Sequence, residues 1–233
     1  MWAWRPATGG FTSARTKSRT CWRTIELAKL PLVDPARVAV IGGSHGGYLA
    51  QMLATRIRPA ATVSFAGLTD IEGMFYEAGL ELRRSLSSWQ EWFEQLLTHR
   101  ERPRTPADPQ PVRRVSGGNL PLTPGSAGYE VALELGWRYR DRRDYFRAIS
   151  PKENALKVSG PVLYLVGGAG PLRFAGKQRI ETLKERGIET VCSEHSGMPH
   201  GFHWSREDDP PQQFFDALQV TERFIWKHTG GKR

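Results

Sequence analysis

Cysteine is nearly missing from this chain: 233 residues hold two, Cys21 and Cys192, far apart. That excludes a disulfide-stapled scaffold, and two free thiols fit a reducing compartment, so a cytoplasmic setting is expected. No run approaches the roughly 20 apolar residues of a membrane-spanning helix, and residues 1–6 (Met-Trp-Ala-Trp-Arg-Pro) lead into no secretory apolar core. Acidic side chains are outnumbered, 24 against 33 Lys and Arg, for a formal charge of +9. The arginines are scattered through 15–23, 83–84, 100–114 and 138–147, without a zinc finger, a recognition helix or an RNA-binding aromatic signature. A solvated basic surface is therefore expected, not specific nucleic-acid binding. One local absence matters more: no Asp or Glu lies between Asn154 and Glu181.

The length suits a single domain, 1–233, with a sizeable core. Residues 37–41 (Arg-Val-Ala-Val-Ile) form a β-branched apolar run, the pattern of a strand buried on both faces. Residues 48–56 are helix formers with apolar side chains at helical spacing. Between them stands Gly42-Gly43-Ser44-His45-Gly46-Gly47. G-x-S-x-G between a strand and a helix is the nucleophile elbow of α/β hydrolases, in which the serine is held in a strained turn. Such a turn demands nearly side-chain-free residues two before and two after the serine, here Gly42 and Gly46. It also sets the backbone N–H of His45 at a helix N-terminus, where it can stabilise an oxyanion.

The stretch 33–40 running into Gly-Gly-Ser-His-Gly-Gly-Tyr resembles the catalytic domain of the prolyl oligopeptidase family and is similar to dienelactone-hydrolase-like esterases. Residues 159–167 (Ser-Gly-Pro-Val-Leu-Tyr-Leu-Val-Gly) look like the family's later core strand, and 199–202 (Pro-His-Gly-Phe) like its histidine loop. Serine first and histidine last is the α/β-hydrolase order. The resemblance implies a mostly parallel sheet with flanking helices, the elbow at the end of a central strand, and a helical cap inserted at about 81–145. It implies acyl transfer to water: Ser44 attacks, His200 takes and returns the proton, and the His45 N–H holds the oxyanion. The substrate is then a small peptide, or an ester, with no cofactor, no metal and no membrane partner.

Two departures accompany the resemblance. The family carries Asp in the loop after the later strand, where this chain has Gly170. Asp70, after the strand and loop of 60–69, is a substitute acid on one reading and a helix cap for residues 71–76 on the other. Only some 36 residues precede the elbow strand, so the fold is expected to be N-terminally incomplete. A carboxylate missing from the site opens a third reading, a non-catalytic hydrolase-fold protein that binds a ligand in its cleft. In the second half, a helix over 177–186 should stop at Gly187. A final helix should bury Phe214, Leu218, Thr221 and Ile225 and end near Gly230.

Overall fold

The structure, a computed structural model, describes residues 26, 29–77, 142–169, 172–200, 202 and 211–230. The expected cap at 81–145 (save 142–145), Gly170, Cys21 and the N-terminal segment fall outside those residues.

Ahead of the first described strand, a side chain replaces a missing backbone partner. Asp34 accepts a hydrogen bond from the Ala36 N–H at 2.9 Å and caps a 3₁₀ turn, Pro35–Arg37, that proline opens. The turn takes Arg37 out of extended conformation, so β1 is Ala39–Gly43, two residues later than expected. Helix α1, His45–Leu53, starts three residues earlier than its spacing suggests. Then follow β2 (Ala61–Phe65), a π-helical segment Glu72–Glu77, α2 (Arg143–Ala148) and β3 (Val162–Gly167). The last elements are α3 (Arg173–Glu185), β4 (Thr190–His195) and α4 (Gln212–Thr229).

The described strands form one all-parallel sheet in chain order, β1-β2-β3-β4. Alternation along β3 divides its side chains between two layers. Val162, Tyr164 and Val166 meet Ile180 and Leu183 of α3, while Leu163 and Leu165 meet Ala217 and Phe224 of α4. Leu163, Leu165, Val162 and Val63 are wholly buried. Burial of each such side chain stabilises by about 1.5–3 kcal/mol.

β1 departs from expectation. It is an edge strand of the described sheet instead of a central one, and Ile41 is 54 % exposed, so it is not buried on both faces. The physical reason is that, among the described residues, only β2 pairs with it. The final helix is also rotated from its predicted face. It buries Ala217, Thr221 and Phe224 while Leu218 is exposed, and it ends at left-handed Gly230 as expected. Gly187, also left-handed, stops α3.

Between β2 and β3, buried polar groups lock residues 69–72 to residues 143–150. Ser150 donates its Oγ–H to the Thr69 carbonyl and accepts from the Ile71 N–H at 3.1 Å. Glu72, buried, accepts from Arg143 and, at 3.0 Å, from Arg147 on α2. Burial pushes its carboxyl up, but the two guanidinium hydrogen bonds outweigh that and hold it below the usual range.

The exposures predict an asymmetry. The arginine side chains are 53 % and 52 % exposed and return readily to water, whereas the carboxylate, at 6 %, does not. Glu72→Ala should therefore cost only about 1–2 kcal/mol. The Arg143→Ala/Arg147→Ala pair strands a buried charge and should cost more, about 3–5 kcal/mol. Urea denaturation of the three proteins measures the difference, and equal costs would contradict a carboxylate that depends on its partners.

Candidate active site

Ser44 ends the chain's run along β1 with φ 49° and ψ −113°, a conformation costly for any residue with a side chain, about 1–3 kcal/mol. Its backbone is clamped from both sides: the Ser44 N–H donates to the Phe65 carbonyl at 2.7 Å, and its carbonyl accepts from the Tyr48 N–H at 2.9 Å. Space at the turn is allotted unequally. A Cβ on Gly42 would lie 2.2 Å from the Gly46 carbonyl oxygen, and one on Gly47 2.8 Å from Ser64 Oγ, whereas one on Gly46 would meet nothing among the described residues. The glycines that the turn requires are thus Gly42 and Gly47. Gly46, expected to be needed for lack of space, is not crowded.

His45 is the first residue of α1, so its N–H belongs to the turn whose donors no helical carbonyl can reach, at the positive end of the helix dipole. Its ring stacks on Tyr48, centroids 5.8 Å apart at 21°.

His200 comes from the other end of the sequence. The loop that carries it leaves β4 at His195 and is latched to the end of β3. The Gly168 N–H donates to the His195 carbonyl at 2.8 Å and the Ala169 N–H to the Met198 carbonyl at 3.1 Å. Phe202 then sinks into the core between Phe65, Leu165 and Phe224, with His195 tilted against its ring at 5.1 Å. Backbone latch and aromatic anchor fix the residue between them. The outcome is a contact of 2.9 Å between Ser44 Oγ and His200 Nε2, across 156 residues of sequence.

The opposite face of that imidazole is bare. Among the described residues, His200 Nδ1 is buried and has no hydrogen-bond partner. Burial holds the ring's pKa below the ordinary 6.5. Asp70 does not serve it. Its carboxylate accepts from the Gly73 N–H at 2.8 Å and from Lys152 Nζ at 3.0 Å, so it caps the π-helical segment and pairs with the segment that leads into β3. The acid role offered for Asp70 has no contact with His200 behind it. The reason is that its loop is turned toward Ser150 and Lys152 by hydrogen bonds to the Thr69 carbonyl.

Sequence reasoning missed the supporting residues. Gln51, wholly buried, donates to Ser64 Oγ at 3.1 Å, and Ser64 donates to the Gly47 carbonyl, so a strand side chain fixes the first turn of α1. Tyr164 donates its O–H to the Gly67 carbonyl at 3.0 Å and braces the loop after β2. A polar pair at Gln51 and Ser64 inside otherwise apolar patterns was the available signal.

A family model described as alpha/beta hydrolase fold matches residues 14–204. Among solved structures, the chain is similar to a puromycin hydrolase, 17 % identical, with a TM-score of 0.60 over 91 % of this chain and 25 % of that one. It is similar to an esterase of the bacterial hormone-sensitive lipase family, 17 % identical, with a TM-score of 0.58 over 94 % of this chain and 61 % of that one. A third is carboxyl esterase 2 of the mycorrhizal fungus Tuber melanosporum, 15 % identical, TM-score 0.54, over 92 % and 60 %. The chain thus spans about a quarter of the length of the puromycin hydrolase and about six-tenths of the esterases. At these identities the likeness is one of fold. No curated protein sequence matches the chain.

The unequal room at the turn gives a direct test. Gly42→Ala forces a methyl into a backbone carbonyl and should cost about 1–3 kcal/mol or more and displace Ser44. Gly46→Ala should melt within a degree or two of the parent, since α1 gains helix propensity there. Thermal unfolding of both variants checks this; equal losses would mean that both positions are crowded.

Proposed function

Since the chain belongs to the alpha/beta hydrolase fold family, we propose that it is a serine hydrolase that transfers an acyl group to water. The observation that carries this is the 2.9 Å contact between Ser44 Oγ and His200 Nε2, at the strand–helix turn where this fold class places its nucleophile. In the proposed reaction Ser44 Oγ attacks a carbonyl carbon while His200 Nε2 takes its proton. The negative charge on the carbonyl oxygen develops toward the N-terminus of α1, where the His45 N–H points. His200 returns the proton to the leaving group, and water, deprotonated in turn by His200, releases the acid. Burial lowers the pKa of His200 and so favours the neutral ring that accepts that proton.

A peptidase of the prolyl oligopeptidase type, cleaving a peptide or ester bond, is the reading that the motifs at 42–47 and 199–202 favour. Puromycin hydrolase and esterases sharing the fold support the general class. A small-ester carboxylesterase is the close alternative. The bare Nδ1 of His200 favours a second reading, a hydrolase-fold protein that binds without turnover.

A fluorophosphonate probe separates the two. It should label the peptide that contains Ser44, lose its reaction in Ser44→Ala, and lose most of it in His200→Ala, with labelling mapped by mass spectrometry. Label elsewhere, or none on the native chain, would sink the hydrolase. Because His200's basicity is depressed, the acidic limb of any activity should have its midpoint below pH 6.5. Asp70→Ala should destabilise by about 1 kcal/mol as a lost cap and leave the labelling rate unchanged.

A further inference from the structure

The backbone just ahead of His200 rests on a glycine. Gly167, the last residue of β3, pairs with His195 of β4. A Cβ built on Gly167 would lie 2.2 Å from the Met198 carbonyl oxygen and 2.5 Å from that of Pro199. Both distances are about 1 Å short of van der Waals contact. Neither carbonyl can retreat without breaking a bond. Met198's accepts from the Ala169 N–H at 3.1 Å, and Pro199's from the Phe202 N–H at 3.4 Å, with the Phe202 ring seated in the core. The turn after β3 is braced from behind as well. Arg173, on α3, donates from Nη1 to the Gly168 carbonyl at 3.0 Å and reaches Glu194 of β4 at 3.3 Å.

Backbone conformation does not explain this glycine. The described glycines with positive φ are Gly187, Gly197 and Gly230, whereas Gly167 lies in a strand. Alanine could adopt its backbone angles; it lacks only the room. A glycine placed so in a strand marks the close approach of another backbone. Gly168 is less confined, since the nearest atom to a Cβ there is Ser196 Cα at 3.2 Å, a contact that yields by tenths of an ångström. We propose that Gly167 is a positioning residue for proton transfer. Its missing side chain seats the Met198–Pro199 backbone on the end of β3 and so sets the reach of His200 Nε2 to Ser44 Oγ. This rests on the Ser44–His200 reading above. Gly167 touches neither the substrate nor the reacting atoms. It acts through the peptides that lead into His200, while Ser44 stays clamped by Phe65 and Tyr48.

The test compares Gly167→Ala, Gly168→Ala and Ala169→Pro with the parent. It reads fluorophosphonate labelling of Ser44, kcat and KM on an activated nitrophenyl ester, and folding by circular dichroism. Misplacing the base by about 1 Å should lower the labelling rate and kcat about a hundredfold in Gly167→Ala. KM should hold, since no substrate contact changes, and Gly168→Ala should stay near the parent. Adding His200→Ala to Gly167→Ala should cost nothing further, because a misplaced base and an absent one are the same loss. Ala169→Pro removes the N–H that holds the Met198 carbonyl and adds no bulk at 167. It should lower kcat in the same way, and it decides the matter if Gly167→Ala does not fold. Parental labelling in a folded Gly167→Ala, an equal loss in Gly168→Ala, or losses that multiply in the double variant would overturn the positioning role and leave the hydrolase standing. Parental kcat in Ala169→Pro overturns it too. If Ser44 of the parent is not labelled, the hydrolase reading falls and the role of Gly167 with it.

Discussion

One row of backbone pairs across the parallel sheet governs everything at its C-terminal edge. Gly43 pairs with Phe65, Phe65 with Leu165, and Leu165 with Ser193. Because all four strands run the same way, each releases its following loop on the same side of that row. The ladder even continues one step beyond the strands: Ser44 N–H to Phe65, Ala66 N–H to Leu165. Those two residues are also the described non-glycine positions with positive φ, 49° and 45°. Strained turns at neighbouring strand ends are affordable only where the ladder beneath them cannot slip. A shift of one residue would exchange the two faces of a strand, placing Leu163 and Leu165 where Val162 and Tyr164 now pack. The contact between Ser44 and His200 is thus a consequence of register before it is a consequence of chemistry.

Much of that was legible in the sequence, for physical reasons that differ from part to part. Gly-x-Ser-x-Gly between apolar and helical runs is legible because its signal is local: the residue types at 42–47 carry it, although the Phe65 carbonyl helps to hold the turn. The Pro-His-Gly-Phe loop is legible for the same reason, and Gly187 and Gly230 mark helix ends through their own backbone freedom. Tertiary context was not legible. That Gly47 and not Gly46 is crowded depends on Ser64, on a different strand. That Leu218 faces outward depends on how α4 lies over β2 and β3, which no periodicity of the helix alone encodes. Asp70 illustrates the boundary: a cap could be read from its position, but the ion pair with Lys152 crosses more than eighty residues.

Buried polar groups show where the fold accepts an electrostatic cost. Glu72 is buried but doubly paired, and its charge is stable. Arg179 lies on the α3 side of the sheet, wholly buried, with one hydrogen bond from Nε to the Pro151 carbonyl at 3.3 Å and none from either Nη. Burial lowers its pKa to about 10. His200 meets the same penalty without a fixed charge, and the difference is instructive. A histidine can shed its proton and sit neutral in a dry place, so its incomplete partnering leaves the resting site undisturbed and is felt only when the ring must carry charge.

The hydrogen bonds that tie residues 69–72 to residues 143–152 have a consequence for the order in which the fold comes apart. They join positions 71 to 82 residues apart, so none of them forms until β2 and the segment that leads into β3 have met. Bringing such distant positions together costs entropy that grows only with the logarithm of the separation. Once several bonds share that one closure, the cluster opens as a unit and not bond by bond. Loss of a single partner is then felt on both segments at once.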